Sequence, residues 1–215
     1  MRTVLVTGGT RRLGAAISER LRAAGWRVVT SSSRPDAGAD IVADLSDPMG
    51  PARLYSACLS LLGGNPPDAL VNNAALFTGD EGLLERVNLV APRKLTMLMA
   101  GREDGRGAVV NVIDGRALGE PRADDTPYLR LKRALVAETL RHAAMFSGTL
   151  RVNGVAPGPV LAPEGVRMAA GEMPLGRPRP EDVARAVEFL LDAQATTGCV
   201  IPVDSGQSSL LSYAI

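Results

Sequence analysis

Tyr128 and Lys132, four residues apart, are the side chains of this chain best suited to moving a proton. Lysine is rare here, since only two of the 24 basic residues are lysines, and its compact ammonium can lie under a neighbouring phenol. On a helix, residues four apart share a face. A cation held there lowers the pKa of a phenol from its usual value of about 10. The spacing predicts a general acid tuned toward neutral pH, although a surface tyrosine beside a solvated lysine has the same spacing.

The glycine-bearing turn over residues 7–14 suits a different kind of ligand, a pyrophosphate. Backbone N–H groups of a glycine turn at the start of a helix attract anions. An ordinary strand-to-helix turn is the alternative. The residues that we predict to bind a dinucleotide here are Gly8, Arg11, Arg12, Leu13 and Gly14.

The segment after the second predicted strand indicates which dinucleotide binds. Folds that prefer NAD carry an acidic residue about 20 residues beyond the glycine turn, where it binds the ribose hydroxyls. This chain has Ser32, Ser33 and Arg34 there, and hydroxyls with a cation suit a 2′-phosphate. We therefore predict NADP(H), with Arg11 and Arg12 also near the phosphate. Solvated surface arginines are the alternative.

Asp44 and Leu45 follow the third predicted strand, where the adenine end of the cofactor is expected. The Asp44 carboxylate could accept a hydrogen bond from the adenine amino group. It could equally cap the helix that follows. The pattern leaves both interpretations open.

Short β-branched runs alternate with longer amphipathic stretches along the chain. The predicted strands are Arg2–Thr7, Arg27–Ser31, Asp40–Ala43, Ala69–Asn72, Ala108–Ile113, Leu150–Val155 and Cys199–Val203. The predicted helices are Leu13–Ala24, Pro51–Leu62, Leu83–Gly101, Pro127–Phe146 and Glu181–Asp192. This alternation predicts one α/β domain over residues 1–215, a doubly wound Rossmann-type fold around a parallel sheet of about seven strands. Because Ser32–Ala39 is too short for a normal crossover, we expect no helix between strands two and three.

The composition excludes several classes of protein. The chain has 46% hydrophobic residues, which is enough to bury a core. Its net charge of +1 gives no electrostatic reason to expect that it binds nucleic acid. Cys58 and Cys199 lack the spacing of a metal site, so we predict no metal and a reducing compartment. The N-terminal apolar run is too short for a signal peptide or a membrane span. We therefore expect a cytoplasmic protein with no membrane partner.

Five motifs, taken together, resemble the short-chain dehydrogenase/reductase family over nearly the whole chain. They are Thr7-Gly8-x-x-x-Arg12-x-Gly14, Asn72-Asn73-Ala74-Ala75, Asn88, Tyr128-x-x-x-Lys132 and Arg151-Val152-Asn153-Gly154-Val155-Ala156-Pro157-Gly158. The resemblance implies that Tyr128 is the general acid, that Lys132 binds the nicotinamide ribose, and that Asn88 holds a water in a proton relay. Alternatively, Asn88 bonds the backbone where its helix is distorted. The resemblance also places at the cofactor Asn73, Ala74, Pro157, Gly158 and Val160.

Three departures from the commoner family pattern resemble its pteridine reductase branch. Arg12 replaces the middle glycine of the first loop, Asp114 replaces the usual catalytic serine, and Phe77 follows the Asn-Asn-Ala-Ala motif. A carboxylate opposes the negative charge that develops in ketone reduction. Reducing a pterin C=N requires a proton on nitrogen, which an Asp114–Tyr128 pair could relay, while Phe77 could stack on the ring. Phosphate binding by Arg12, a helix-end cap by Asp114 and loop packing by Phe77 are the alternatives.

These residues predict an NADPH-dependent reductase of a pterin or dihydrofolate-like ring, with a substrate site of Arg12, Phe77, Asp114 and Tyr128. Two alternatives remain: a reductase of another carbonyl or imine substrate, and a catalytically silent NADPH-binding sensor or scaffold. The proline-rich residues 157–180 are expected to cover the substrate. The two long helices resemble those that pair in the family, so we expect a homodimer or homotetramer.

Overall fold

The computed structural model of the protein describes residues 1–102, 105, 107–161 and 175–209. Its centre is a seven-stranded sheet, in which every strand is parallel to its neighbours, in the order β3-β2-β1-β4-β5-β6-β7. The strands are β1 (Thr3–Thr7), β2 (Arg27–Ser32), β3 (Ile41–Val42), β4 (Ala69–Asn72), β5 (Gly107–Val112), β6 (Leu150–Pro157) and β7 (Val200–Val203). The doubly wound α/β fold predicted from the alternation is confirmed.

The helices run between the strands and cover the sheet. They are α1 (Arg12–Ala23), α2 (Gly50–Leu61), α3 (Glu81–Glu85), α4 (Ala91–Ala100), α5 (Pro127–Met145) and α6 (Pro180–Asp192). No helix in the described part of the chain is long and apolar enough to cross a membrane. The predicted substrate-covering segment can be described only at its ends, because residues 162–174 lie outside the described residues.

The core lies on both faces of the sheet because side chains alternate along each strand. Val4 and Val6 belong to a buried cluster with residues of α1 and α6. Leu5, between them, belongs to a second cluster with residues of α2 and α4. A strand buried on both faces reads as a continuous apolar run, which is why Val4-Leu5-Val6 indicated a central strand.

The connection between β2 and β3 contains only one short 3-10 turn, Pro35–Ala37. The expected absence of a crossover helix is therefore correct for these residues. Asp40 stabilises the connection, because its carboxylate accepts hydrogen bonds of 2.7 Å from both the backbone N–H and the hydroxyl of Thr30. The edge strand β3 is short and pairs with β2 over only two residues.

The single long helix predicted over Leu83–Gly101 is wrong in one respect. The structure divides it into α3, a π-helical turn over Arg86–Val90, and α4. Pro92 has no N–H to donate to the carbonyl of Asn88 four residues earlier, so an uninterrupted α-helical ladder cannot form there. Asn88 thus lies at the distortion, as one of its two interpretations required.

Candidate active site

A cleft of about 920 Å³ opens at the carboxyl ends of the central strands. Ligands bind at this edge in open α/β sheets, where neighbouring crossovers lead to opposite faces. The predicted cofactor residues that line it are Gly8, Arg11, Arg12, Leu13, Gly14, Ser32, Ser33, Arg34, Asp44, Leu45, Asn73, Ala74, Lys132, Pro157, Gly158 and Val160. Phe77, Asp114 and Tyr128 line it too. The fold therefore brings together every predicted site residue except Asn88.

The loop between β1 and α1 has a backbone that only small residues allow. Gly8 adopts a φ of +62°, and a Cβ on Gly14 would lie 2.0 Å from the Gly8 carbonyl oxygen. Arg12 replaces a glycine of the family pattern but keeps a left-handed φ of 51°. A non-glycine residue in that region costs about 1–2 kcal/mol. The loop keeps its shape, and it presents a guanidinium to the cleft.

Side chains from β1 and the end of β4 hold this loop in place. The Asn73 amide donates hydrogen bonds of 3.0 and 3.1 Å to the carbonyls of Thr7 and Gly8. In return, the Thr7 hydroxyl accepts from the backbone N–H groups of Asn73 and Ala74, at 3.0 Å each. Asn73 and Ala74 therefore shape the cleft by bracing the loop.

The loop fits the phosphates of a dinucleotide. Its left-handed Gly8 and the absence of room for a side chain at Gly14 leave a concave backbone surface at the start of a 12-residue helix. The first turn of α1 has no acidic residue, so no carboxylate opposes the helix dipole there. Arg11, Arg12 and Arg34 all line the cleft and provide the positive charge that a 2′-phosphate would need.

Asp44 does not cap the next helix, since α2 begins only at Gly50. One oxygen of its carboxylate instead accepts hydrogen bonds from the backbone N–H and the hydroxyl of Ser46, at 2.8 and 2.7 Å. Of the two interpretations, the helix cap is therefore wrong. Contact with an adenine amino group stays a prediction, and the exposed position of Asp44 in the cleft is compatible with it.

At the other end of the cleft, Asp114 follows β5 and caps the short 3-10 helix Gly115–Leu118. Its carboxylate accepts from the backbone N–H of Arg116 at 3.0 Å. The Arg116 guanidinium also holds both carboxylate oxygens, with Nε 3.1 Å from Oδ1 and a terminal nitrogen 3.0 Å from Oδ2. Hydrogen bonding to Asp114 raises the pKa of Arg116. Asp114 therefore caps this helix, as one of its interpretations predicted, and it also lines the cleft.

Tyr128 lies in the first turn of α5, and its side chain is almost fully buried against Phe77. The two ring centroids are 4.8 Å apart with a tilt of 36°. Burial raises the pKa of Tyr128, the nearby Asp114 carboxylate raises it further, and Arg116 opposes that effect. The prediction that the pKa of Tyr128 is lowered toward neutral pH is therefore wrong for this structure. Burial of the phenol and the negative charge of Asp114 raise its pKa by more than the positive charge of Arg116 lowers it.

Lys132 lies one turn further along α5 and is 2% exposed. Its Nζ donates a 2.8 Å hydrogen bond to the carbonyl of Val112 and lies 5.7 Å from the centroid of the Tyr128 ring. Burial lowers the pKa of Lys132 to about 8, and the Asp114 carboxylate counteracts part of that shift. The helical spacing did place the ammonium beside the phenol, but the carbonyl of β5 is its direct partner.

Asn88 is fully buried and is not among the residues that line the cleft. Its amide nitrogen donates to the carbonyls of Leu76 and Leu84 at 2.8 and 3.0 Å, and its oxygen accepts from the N–H of Leu76 at 3.2 Å. The side chain therefore bonds the backbone at the distorted turn. Its predicted role in holding a water stays a prediction, which would depend on the Asn88 carbonyl that Pro92 cannot satisfy.

Several residues that line the cleft were missed from the sequence, among them Arg116 and Gln207. Arg116 lies two positions after Asp114, and one arginine among so many gave no signal by itself. Gln207 follows the last strand, and its buried amide oxygen has no hydrogen-bond partner among the residues that the structure describes. A polar residue four positions beyond the end of a strand of the sheet was the signal that could have identified both.

Comparison with known proteins identifies relatives of the whole chain. No family model matches the chain. A putative ketoacyl reductase of granaticin polyketide synthesis from Streptomyces violaceoruber is 32% identical, with 94% of each chain covered. Pteridine reductase 1 of Leishmania tarentolae is 30% identical, with 95% of each chain covered.

A solved structure has the same architecture. The crystal structure of FolM alternative dihydrofolate reductase 1 from Brucella suis in complex with NADP superposes with a TM-score of 0.82. It is 30% identical and covers 97% of this chain and 95% of its own. With these relatives matched over nearly their full lengths, and with the glycine loop, Asn73, Tyr128 and Lys132 in one cleft, the chain belongs to the short-chain dehydrogenase/reductase family of oxidoreductases.

Proposed function

We propose that the protein is an NADPH-dependent reductase of a pterin or dihydrofolate-like ring. One observation carries this proposal: Asp114, rather than a hydroxyl residue, lines the cleft beside the buried Tyr128 and interacts with it. A carboxylate there would repel an alkoxide that forms during ketone reduction. It would help a tyrosine that must be reprotonated after giving its proton to a ring nitrogen.

The cofactor end of the cleft supports NADP(H). Ser32, Ser33 and Arg34 lie at the end of β2, where an NAD-preferring fold would carry an acidic residue. The Ser32 hydroxyl accepts from the backbone N–H of Arg34 at 3.1 Å, which shapes this turn. Arg11 and Arg12 approach from the glycine loop. Guanidinium groups bind phosphate oxygens through two parallel hydrogen bonds, so this cluster favours the 2′-phosphate.

The substrate end of the cleft supports a flat heterocycle. Phe77 is 68% exposed although its ring contacts Tyr128, so one side of the ring is available to a ligand. Leu83 and Val87 line the cleft nearby. A planar ring between Phe77 and the nicotinamide would gain stacking of about 0.5–1.5 kcal/mol beyond its buried area. Arg12 would face both the cofactor phosphates and the substrate.

The proton transfer would depend on two side chains of α5, Tyr128 and Lys132, and on Asp114, which follows β5. When bound, NADPH supplies a hydride to the carbon of the C=N bond. Tyr128 would donate its proton to the ring nitrogen, and Asp114 would then return a proton to Tyr128 from water in the cleft. Lys132, anchored to the Val112 carbonyl at 2.8 Å, would hold the ribose and keep a positive charge behind the phenol.

A screen of NADPH oxidation tests the proposal. We expect turnover with 7,8-dihydropterins or dihydrofolate, and weaker or no turnover with small ketones and quinones. The names of two relatives agree with this expectation, since one is a pteridine reductase and the other an alternative dihydrofolate reductase. Turnover of ketones without turnover of pterins would contradict it.

A reductase of another carbonyl substrate is the second candidate, because the relative with 32% identity is described as a ketoacyl reductase. In that case Asp114 would serve as a helix cap alone. A catalytically silent NADPH-binding sensor is less well supported, since Tyr128 and Lys132 are in place. Tight NADPH binding with no turnover of any substrate would favour it.

We also propose that the protein works in the cytoplasm as a homodimer or homotetramer. Exposed apolar side chains on α4 and α5 would be covered by a partner copy: Met97, Leu98 and Leu140. Leu95 and Met99 on the same helix are fully buried in the core and do not belong to this exposed set. Sedimentation velocity would test the assembly, and a monomer at micromolar concentration would contradict it.

A further inference from the structure

We propose that Arg116 is a positioning residue of the active site, which turns the Asp114 carboxylate toward Tyr128 and balances its charge. Nothing in the motifs of the chain pointed to this arginine. The inference rests on the proposed function in one respect, namely that Tyr128 donates a proton during the reaction. It follows from the contacts of three neighbouring side chains.

The first contact is a two-point hold on the carboxylate. Arg116 Nε lies 3.1 Å from Asp114 Oδ1, and a terminal nitrogen of Arg116 lies 3.0 Å from Oδ2. The backbone N–H of Arg116 donates to the same Oδ1 at 3.0 Å. Both residues belong to one short turn, so little chain entropy is lost in bringing them together. The planar fork of an arginine then leaves the carboxylate one orientation.

The second observation is the position of this pair. An ion pair on an exposed surface contributes about 0–1 kcal/mol and needs no functional explanation. The Asp114 side chain, however, is only 14% exposed, lines the cleft and interacts with Tyr128. A pair further along the same connection, Arg122 with Asp124, is 68% and 88% exposed at 3.9 Å. The two pairs differ in their carboxylates: Asp114 is shielded in the cleft although Arg116 is 49% exposed, whereas both partners of the second pair are exposed.

The third observation is the set of charges around Asp114. Tyr128 and Lys132 face it from α5, and the Asp204 side chain lies against Gly115, next to Asp114 in the chain. Arg116 also interacts with Asp125. Of these carboxylates, Asp114 is the one that acts on the phenol of Tyr128, and Arg116 is the cation that contacts Asp114 directly in the described part of the chain.

These charges determine how acidic the phenol is. Burial and Asp114 raise the pKa of Tyr128, whereas Arg116 lowers it. A guanidinium stays charged at every pH of interest, so its effect persists across the working range. Arg116 therefore lets the site keep a carboxylate for reprotonation without making Tyr128 too weak an acid to donate.

The test compares Arg116→Gln with Arg122→Gln, which removes a matched arginine outside the cleft. General acid catalysis contributes about 10²–10⁴-fold, and we expect Arg116→Gln to lose about tenfold of it in kcat with 7,8-dihydrobiopterin near pH 7. Its alkaline limb should move to higher pH, because the phenol ionises later. Arg116→Lys should recover part of the rate, and Arg122→Gln should match the wild type. Unchanged kcat and pH profile in Arg116→Gln would overturn the inference.

A double-mutant cycle separates action through Asp114 from a general effect on the cleft. In an Asp114→Asn background, Arg116→Gln should cause little further loss of kcat, whereas fully additive losses would contradict the inference. Failure of the proposed function has a different signature, since the wild type would then not reduce the dihydropterin. In that case the same cycle is run with an ortho-quinone if that is reduced. If the protein reduces none of these substrates, the double-mutant cycle of Asp114 and Arg116 is measured on the unfolding midpoint. Zero coupling between the two residues in that measurement overturns the inference.

Discussion

The two ends of the cleft achieve their binding properties by different means. At the cofactor end, backbone shape dominates: Gly8 and Gly14 leave a concave loop, and Thr7 and Asn73 brace it with hydrogen bonds. At the substrate end, buried charged and titratable side chains dominate, with Lys132 2% and Tyr128 6% exposed. A binding site formed by the backbone is specified by the positions of glycines in the sequence. A site of buried charges depends on distances between elements that are far apart in the chain.

The largest effect is expected at the substrate end, from Tyr128→Phe. Removing a general acid costs about 10²–10⁴-fold in rate, and we expect kcat for the dihydropterin to fall within that range. The ring stays, so its contact with Phe77 and the fold should be kept. Stopped-flow NADPH oxidation measures kcat, and a thermal melt measures whether the fold is kept. Tyr55→Phe, at a buried core tyrosine outside the cleft, is the control and should retain the wild-type rate.

A second expected effect concerns stability and pH at Lys132. Its pKa is about 8 in the folded protein against an ordinary value of 10.5, so the buried ammonium destabilises the fold below about pH 8. As pH rises from about 8 to about 10.5, the unfolded chain holds the extra proton and the wild type gains stability. Each unit of pKa shift corresponds to about 1.4 kcal/mol, which makes the full change about 3 kcal/mol.

Lys132→Met isolates this contribution. The variant has no ammonium, so its stability relative to the wild type should fall by about 3 kcal/mol between about pH 7 and about pH 10.5. The lost hydrogen bond to the Val112 carbonyl is independent of pH in the variant and does not affect the change. Urea unfolding of the cofactor-free proteins at both pH values measures it. A constant difference would show that the ammonium is not destabilised by burial.

At the cofactor end, Gly14→Ala should damage binding through the backbone. The added Cβ would lie 2.0 Å from the Gly8 carbonyl oxygen and 2.6 Å from the Asn73 amide, so the loop must move. Overpacking costs about 1–3 kcal/mol, and we expect up to about 100-fold weaker NADPH binding. Gly101→Ala is the control, since its Cβ would lie 3.5 Å from the Leu98 carbonyl oxygen, an ordinary van der Waals distance. Fluorescence titration with equal affinities for the two variants would contradict the backbone explanation.

The smallest effect is expected from a side chain at that same end, Arg34→Ala. Arg34 is exposed, and losing one charged contact to a phosphate should weaken NADPH binding by about tenfold, or about 1.4 kcal/mol. NADH has no 2′-phosphate, so its affinity should not change. Titration with both cofactors measures the ratio. A wild type that already prefers NADH would refute the phosphate assignment.

The fold was predictable because its signals are local. The β1 strand appeared as a continuous apolar run, and the missing helix between β2 and β3 followed from the eight residues available there. The break within the predicted Leu83–Gly101 helix was not predicted as a boundary. Its cause is a hydrogen bond that Pro92 cannot donate, combined with an Asn88 side chain that satisfies the backbone of Leu76 and Leu84.

The members of the site were also predictable, but their chemistry was not. Motif spacing identified many residues of the cleft and missed others, among them Arg116 and Gln207. The expected lowering of the Tyr128 pKa by Lys132 was wrong, because Lys132 bonds the Val112 carbonyl and Tyr128 is desolvated beside Asp114. Helical spacing states which residues share a face. It does not state how much water reaches them.

The sequence by itself determined the order of strands and helices, the glycine loop and the pairing of Tyr128 with Lys132 on one helix face. These depend on backbone preferences and on residues close together in the chain. Only the tertiary structure decided how acidic Tyr128 is and which cation holds Asp114. The reason is physical: desolvation and Coulomb interactions depend on burial and on distances of a few ångströms, and these exist only once β5 and α5 are packed together.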